Sequence, residues 1–433
     1  MSTVKPHTPV AQDTAPPANH RWNASALIVD MASFNVGMSF ISTTAVLPAL
    51  ITALGGSEVI VGLGSGISTG AWLLPQLLVA GIVARLPRKQ PFMVRVAWLT
   101  RPIMLVLALI ILLLGETRPD VALAAILIGT GVFFIFDAMV SVPWFDLIAR
   151  AVPATRRGRV LGIAQVVGGL GGILAGIAVR AILREGSAFS FPRNFALLYA
   201  LAAFMILVSA VALTLIREPA SDAPTRDVLP LRRILAQLPG IISQDRPFRW
   251  VISTRVLLGL VGIASAFYVL NATQNAGLSI EASGYFVSAQ VAGSLTGGLL
   301  TTVLQDRWGP LVHIRTIIVV SAVAPLVALV CQPLLATLGA AVLYPYLLVY
   351  VALGIYMGST GWPFFNWILE YAEEAKRPLY IGMINTFGAI TMVTPAVGGW
   401  VARDISYTAV FVLSLVCAFA AFALSRFIPS TRR

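Results

Sequence analysis

The chain has 433 residues, of which 58% are apolar and only 11% are charged. Because soluble proteins carry about 25% charged residues, this composition excludes a multidomain soluble enzyme or any large water-soluble domain. The formal net charge of +12 comes from short clusters between apolar runs. Such clusters are typical of the loops that orient membrane helices, and they argue against a nucleic-acid partner.

The first segment, residues 1–20, contains four prolines and lacks the apolar core of a secretion signal. We predict that it is a disordered cytoplasmic tail. Apolar runs of about 20 residues or more, the length that crosses a lipid bilayer, then follow along the chain. The predicted spans are 24–52, 58–84, 92–114, 121–149, 159–183, 194–216, 250–275, 281–305, 312–332, 340–369, 379–402 and 405–427.

Residues 217–249 interrupt this series with five prolines and several arginines, and they predict a cytoplasmic linker. The sequence therefore predicts an all-α, multi-pass membrane protein with twelve transmembrane helices. Six would form a bundle over residues 21–216 and six over residues 250–428, followed by a cytoplasmic tail at 429–433. Because Lys and Arg concentrate in both tails, the linker and alternate loops, we expect both termini to be cytoplasmic, in a bacterial-type inner (plasma) membrane.

The two halves share an internal repeat. At a constant offset of 220 residues, Pro143 matches Pro363 and Arg157 matches Arg377, with further matches between the same two spans. Two parallel halves related in this way pack around a cavity near the bilayer midplane in known transporters. The repeat therefore predicts two pseudo-symmetric bundles with a central cavity.

The loop after the eighth predicted span reads D-R-W-G over residues 306–309. It resembles the D-R-x-G core of the cytoplasmic loop signature of the major facilitator superfamily. The corresponding loop of the first half keeps Arg85 but has Ala84 where the acidic residue is expected. The resemblance implies a secondary transporter that binds a small-molecule substrate and works by alternating access.

Three ionisable side chains lie deep in predicted spans: Asp30, Arg101 and Asp137. A charge inside a bilayer costs at least about 2.5–3.5 kcal/mol on insertion scales, so each of these residues is expected to have a functional role or a charged partner. Since the histidines fall in predicted tails and loops, the two carboxylates are the candidates for proton coupling or for binding a cationic group. Asp137 and Arg101 could instead form a pair, either a permanent structural pair or one that the substrate breaks. Asp30 has no evident partner in the sequence.

Helical spacing and the repeat indicate further residues of a substrate pocket. Trp144 shares a helix face with Asp137, and the repeat places the equivalent face, with Tyr350 and Phe364, on the tenth span. Two amide side chains, Gln165 and Asn385, occupy equivalent positions in the fifth and eleventh spans. The polar Asn35 of the first span is the remaining candidate. An aromatic and partly acidic pocket suits an organic molecule with apolar bulk and a positive charge. The alternative is that these aromatic and amide side chains only fill contacts between helices.

Charged residues near the helix ends predict a conformational latch in each half. The candidates are Arg85, Asp146, Arg157, Asp306, Arg307, Gly309, Glu370 and Arg377. The resemblance implies that such clusters hold the cytoplasmic side closed in the outward-facing state. The alternative is that they are orienting charges and surface ion pairs, worth under about 1 kcal/mol each.

The expected function is secondary transport of a small organic solute by a monomer, as a symporter or an antiporter coupled to protons or another ion. Such transport includes the export of amphipathic or cationic compounds, which is one candidate function. One alternative is an importer of a sugar or a carboxylate that uses Arg101. An alternative of another class is a receptor or scaffold that does not transport. The sequence contains no nucleotide-binding, metal-binding or nucleophile motif, so we expect neither an enzyme nor a cofactor.

Overall fold

The computed structural model describes residues 19–83, 86–219, 240, 243–373 and 377–432. The described residues are helices joined by short turns, and they contain no strand. Most of the predicted N-terminal tail, most of the predicted linker and Arg85 lie outside the described residues.

The helices of the first half are α1 (His20–Phe40), α2 (Val46–Ala53), α3 (Glu58–Val83), α4 (Gln90–Thr100), α5 (Ile103–Leu114), α6 (Pro119–Ala151), α7 (Ala154–Leu183) and α8 (Arg193–Leu215). Those of the second half are α9 (Arg246–Leu260), α10 (Phe267–Leu270), α11 (Ala282–Leu338), α12 (Leu343–Ser359), α13 (Gly361–Tyr371), α14 (Arg377–Ala389), α15 (Thr394–Asp404) and α16 (Tyr407–Ser425). Within the described ranges, nine helical segments are long and apolar enough to cross a membrane. Of the other three predicted spans, 24–52 covers most of α1 and α2, the described part of 58–84 is α3, and 281–305 falls on the first part of α11; the total of twelve stays a prediction.

Helices α4 and α5 together form the continuous span Gln90–Leu114. Pro102 lies at their junction and has no N–H with which to continue the helical hydrogen bonds, although both junction residues keep helical backbone angles. Arg101 therefore lies near the middle of the span, where the helical hydrogen bonds are interrupted.

Helix α11 contains a sharp turn at Gly309, where φ is 82° and ψ is 175°. Glycine adopts such a positive φ without steric cost. Pro310 then begins the next helical segment at the position where its missing N–H is tolerated. The glycine of the D-R-W-G sequence thus makes the turn between the predicted spans 281–305 and 312–332.

The repeat is visible where α6 and α13 end. The Nε of Arg157 donates to the carbonyl oxygen of Val152 at 3.0 Å, and the Nε of Arg377 donates to that of Ala372 at 3.1 Å. Donor and acceptor are each separated by 220 residues between the two halves. Both arginines satisfy a carbonyl just past the end of a helix, where no intrahelical N–H is available.

Lys89, Arg150 and Arg432 lie at one end of the helices, which we call the basic end; the other is the opposite end. In the first half α1 packs against α7 and α8, and α3 packs against α6. In the second half α11 packs against α12 and α16, and α9 packs against α16. The two halves meet where α7 packs against α11 and α3 packs against α15.

These contacts between the halves lie toward the opposite end. A side chain at Gly62 would collide with the carbonyl oxygen of Pro395, and one at Gly284 would collide with the backbone of Arg180. By contrast, no described atom lies within 4 Å of a Cβ placed on Gly158, near the basic end of α7. The closest backbone contacts between the halves therefore lie toward the opposite end.

Candidate functional site

A cavity of about 570 Å³ lies between the two halves. This volume is within the range of about 300–1,000 Å³ that is usual for small-molecule sites. Most of its wall comes from the first half, and Arg255 and Met357 line it from the second half. The predicted site residues that line it are Asp30, Arg101, Asp137 and Trp144.

Asp30 is buried in the cavity wall, with 4% of its surface exposed. One carboxylate oxygen accepts a hydrogen bond from the hydroxyl of Ser209 at 2.6 Å, and the other accepts one from the indole N–H of Trp144 at 2.7 Å. Asp30 therefore does have partners, although the sequence indicated none. Both donors are neutral, so the carboxylate is oriented without a bonded cation.

Arg101 and Asp137 form a buried ion pair, with 2.7 Å between Nη1 and Oδ1. The guanidinium also lies over the ring of Phe34, 4.6 Å from its centroid. The pairing that the sequence left as one of two alternatives is thus present in this conformation. The carboxylate of Asp137 thus neutralises the charge of Arg101 while the pair persists, although it bonds to only one of the five guanidinium N–H groups.

Three residues of the predicted face of α6 lie together at the cavity. Asp137, Ser141 and Trp144 all line the cavity, as their spacing of four and seven residues requires for one side of a helix. Met357 is related to Asp137 by the 220-residue offset and lines the cavity from the second half. Phe364, the offset partner of Trp144, is buried in the core of the second half.

The sequence interpretation missed Arg255. It lies within the predicted span 250–275, so the cost criterion that singled out Arg101 applies to it equally. Its guanidinium lies over the ring of Phe364, 5.6 Å from the centroid, and the residue lines the cavity. No carboxylate among the described residues forms an ion pair with it.

Four other predicted pocket residues lie elsewhere. Asn35 lines a smaller neighbouring cavity of about 270 Å³, together with Gln290. Tyr350 is fully buried, where its ring stacks on Phe286 with 4.3 Å between centroids. The described cavities do not include Gln165, which is half-buried, or Asn385, which is exposed.

The first-half charge cluster forms within that half. Asp146 pairs with Lys89 and with Arg150, each at 2.7 Å. Glu218 pairs with Arg150 at 2.9 Å and accepts hydrogen bonds from the backbone N–H of Lys89. Arg157 donates to backbone carbonyls instead of a carboxylate. The sequence interpretation did not include Glu218, whose segment it assigned to the linker.

The second-half cluster is centred on Arg432, which the sequence interpretation counted only as a tail charge. Its guanidinium donates to Glu370 at 2.9 Å and to the backbone oxygen of Asp306 at 3.0 Å. Arg307 forms no ion pair with a described residue, and Arg377 donates to the carbonyl oxygen of Ala372 at the end of the preceding helix, α13. The expected side-chain cluster of Asp306, Arg307, Glu370 and Arg377 is therefore replaced by one that the C-terminal segment completes.

Apolar spans, packed halves and a solute-sized cavity with buried charges define a polytopic membrane protein of the transporter class. The sequence profile of the Major Facilitator Superfamily matches residues 32–393. The chain belongs to the major facilitator superfamily, and it is a membrane transporter of that family by fold. No curated protein matches its sequence significantly.

Several solved structures share this fold at low sequence identity. A nucleoside transporter, NupG, has a TM-score of 0.68 and 17% identity, covering 93% of this chain and 99% of that one. A D-xylose-proton symporter has a TM-score of 0.66 and 15% identity, covering 94% and 98%. An inward-facing bacterial homologue of the human lysosomal transporter Spinster has a TM-score of 0.63 and 14% identity, covering 95% and 98%.

Proposed function

We propose that this protein is a secondary transporter that couples the movement of a small organic solute to the movement of protons. The cavity is the solute site, and motion of the two halves exposes it to each side of the membrane in turn. The observation that carries the proposal is Asp30, a buried carboxylate in the cavity wall whose bonded donors are both neutral. Since no described cation is bonded to it, Asp30 can take up and release a proton without breaking an ion pair.

The two donors to Asp30 suit both protonation states. A hydroxyl can donate or accept, so Ser209 can donate to the carboxylate and can accept from the carboxylic acid after rotating. The indole N–H of Trp144 can only donate, and it keeps the other carboxyl oxygen oriented in either state. The polar groups of Asp30, Ser209 and Trp144 would therefore all keep a hydrogen-bond partner when Asp30 is protonated.

The close backbone contacts between the halves toward the opposite end support an inward-facing conformation. This assignment uses the positive-inside rule, which predicts that the basic end is cytoplasmic. We propose that Asp146 and Glu370, each now paired within its own half, exchange partners across the halves when the basic end closes. Partly exposed pairs are worth under about 1 kcal/mol, so such an exchange costs little. The other predicted latch residues stay predictions.

The test uses Asp30→Asn in proteoliposomes, with a solute found by a thermal-shift ligand screen. A carrier that moves one proton with each solute accumulates the solute about tenfold for each pH unit of gradient. We expect Asp30→Asn to abolish this accumulation and to retain exchange of labelled for unlabelled solute, because exchange needs no proton release.

Asp120→Asn is the matched control, because Asp120 is an exposed carboxylate in the first turn of α6. It should accumulate solute as the wild type does. Unchanged accumulation by Asp30→Asn would contradict the proposal. Binding of solute without any exchange by the wild type would favour the receptor or scaffold alternative.

The two predicted solute classes require opposite charges in the cavity: a cationic solute requires an available carboxylate, and a carboxylate solute requires an available arginine. Export of a cationic compound is favoured by the Asp30 carboxylate, which has no bonded cation. Import of a carboxylate through Arg101 is disfavoured, because Arg101 already binds Asp137. The second half also contributes a charged residue to the cavity wall, Arg255, and this residue bears on the charge of the solute.

A further inference from the structure

Arg255 brings a positive charge into the cavity without a carboxylate partner among the described residues. Its guanidinium lies over the face of Phe364, which orients the charge but does not neutralise it. A charge in this position is costly and, within a membrane, indicates a functional site.

The remaining charges of the cavity do not account for Arg255. Arg101 and Asp137 neutralise each other as an ion pair. Asp30 is bonded to Ser209 and Trp144. Asp30 and Arg255 are thus the two cavity charges that lack an ionic partner in the part of the chain described.

These two residues lie in different halves of the chain. Asp30 is on α1, the first helix of its half, and Arg255 is on α9, the first helix of the other. Two opposite charges therefore line one cavity from its two halves.

We infer that Arg255 is the anion-binding residue of the cavity, and that the solute is an organic anion with an apolar or aromatic body. A planar guanidinium binds a carboxylate through two parallel hydrogen bonds. The aromatic wall, which includes Trp72 and Phe134, suits the apolar body. This inference rests on the proposed transport function and names its substrate class.

Charge balance couples the anion to the proton. The groups facing Asp30 are Ser209 on α8, Trp144 and Asp137 on α6, and Arg101 between α4 and α5. When Asp30 is protonated, the cavity carries one unbalanced positive charge at Arg255. An anion then neutralises the cavity, so that proton and anion bind cooperatively and move in the same direction.

The experiment measures thermal stabilisation of the purified full-length protein in detergent by matched probe pairs. The pairs are phenylacetate with phenylacetamide and naphthoate with naphthamide, which differ in charge but scarcely in shape. We expect the acids to stabilise the wild type more than the amides, and more at pH 5 than at pH 8. Arg255→Gln should weaken acid binding at least tenfold, and Arg255→Lys should weaken it less. Asp30→Asn should bind the acids with no such dependence on pH.

Arg403→Gln is the control, because Arg403 is exposed on α15 and pairs with its neighbour Asp404. It should bind the acids as the wild type does. Equal stabilisation by acids and amides, acid binding unchanged in Arg255→Gln, or no stabilisation by any acid would each overturn the inference. If Arg255→Gln does not fold, Arg255→Lys gives the test: acid binding identical to that of the wild type overturns the inference, because a lysine lacks the bidentate geometry.

Transport measurements separate this inference from the proposed function. Acids that bind through Arg255 but are not exchanged across proteoliposomes would overturn the transport function and leave the anion site intact. A cationic or neutral solute that is accumulated equally by the wild type and Arg255→Gln would overturn the anion site and leave the transport function intact.

Discussion

The two halves of the chain end α6 and α13 in the same way but line the cavity in different ways. Arg157 and Arg377 bond to carbonyl oxygens at equivalent positions past the helix ends. In the cavity, the first half contributes an ion pair and a separate carboxylate, whereas the second half contributes one arginine over an aromatic ring. The repeat is thus retained in the helix ends and lost in the solute site.

This difference has a physical reason. Two halves that move against each other need similar rigid ends, because each must keep its shape in both conformations. A solute with a charged end and an apolar end presents different groups to the two walls, so the walls need different side chains. Substitutions in the cavity, in the charge clusters and at the helix ends therefore test this difference between the halves.

The largest expected effect is on the buried pair of the first half. Asp137→Asn leaves the charge of Arg101 buried without its partner, which costs about 3–5 kcal/mol of stability in comparable sites. Unfolding of the purified protein in a denaturing detergent series measures this loss. The double variant Arg101→Leu with Asp137→Leu should regain most of it, because no uncompensated charge remains.

Asp404→Asn is the matched control for that pair. It breaks an ion pair with Arg403 in which both side chains are more than a third exposed, and we expect no measurable loss of stability because water screens such a pair. If both single variants lose the same stability, burial does not distinguish the two pairs and the argument for the cavity pair is wrong.

An intermediate effect should distinguish the two charge clusters at the basic end. The Glu218 side chain is 8% exposed and bonds to Arg150 and to the backbone N–H of Lys89, so Glu218→Gln should cost about 2 kcal/mol. Glu370 bonds to Arg432, whose side chain is 43% exposed, so Glu370→Gln should cost under about 1 kcal/mol. The same unfolding assay compares them, and a larger loss for Glu370→Gln would refute the ranking.

The smallest effect tests the retained part of the repeat. Arg157→Gln and Arg377→Gln each remove the same side-chain bond to a helix-end carbonyl, and each should cost about 1 kcal/mol. We expect the two losses to agree within about 0.5 kcal/mol. A loss in one half with none in the other, measured by the same unfolding assay, would show that the two helix ends are not equivalent.

The sequence predicts the spans well because apolar length is a local property. It also predicts the Arg101–Asp137 pair as one of two alternatives, since both residues lie deep in neighbouring spans. The turn at Gly309 follows from a local motif as well, because the positive φ favours glycine there.

The partners of Asp30 could not be predicted in this way. Ser209 lies 179 residues away along the chain, and serine is common in membrane helices, where it usually bonds to its own backbone. Nor does the sequence reveal that Arg432 reaches Glu370, because that contact depends on how the C-terminal segment folds back. A helical spacing of seven residues from Met357 relates Tyr350 to the predicted pocket face, but the packing at the opposite end encloses it.

Arg255 was missed for a different reason. It satisfies the rule that a charge inside a predicted span needs an explanation, and it lies about as far into its span as Asp30 does. The signal was therefore present in the sequence, and the structure shows its meaning by placing Arg255 on the cavity wall.

The most direct test of the account is the side from which the cavity is reached. Met357→Cys places one thiol in the cavity wall after the two native cysteines, Cys331 and Cys417, are changed to serine. A membrane-impermeant maleimide should label it in inside-out vesicles, where the cytoplasmic side is accessible, and not in right-side-out vesicles. Asp120→Cys at the opposite end should show the reverse pattern. Labelling of the Met357→Cys thiol from the opposite side alone, or from neither side, would contradict a solute cavity that opens at the basic end.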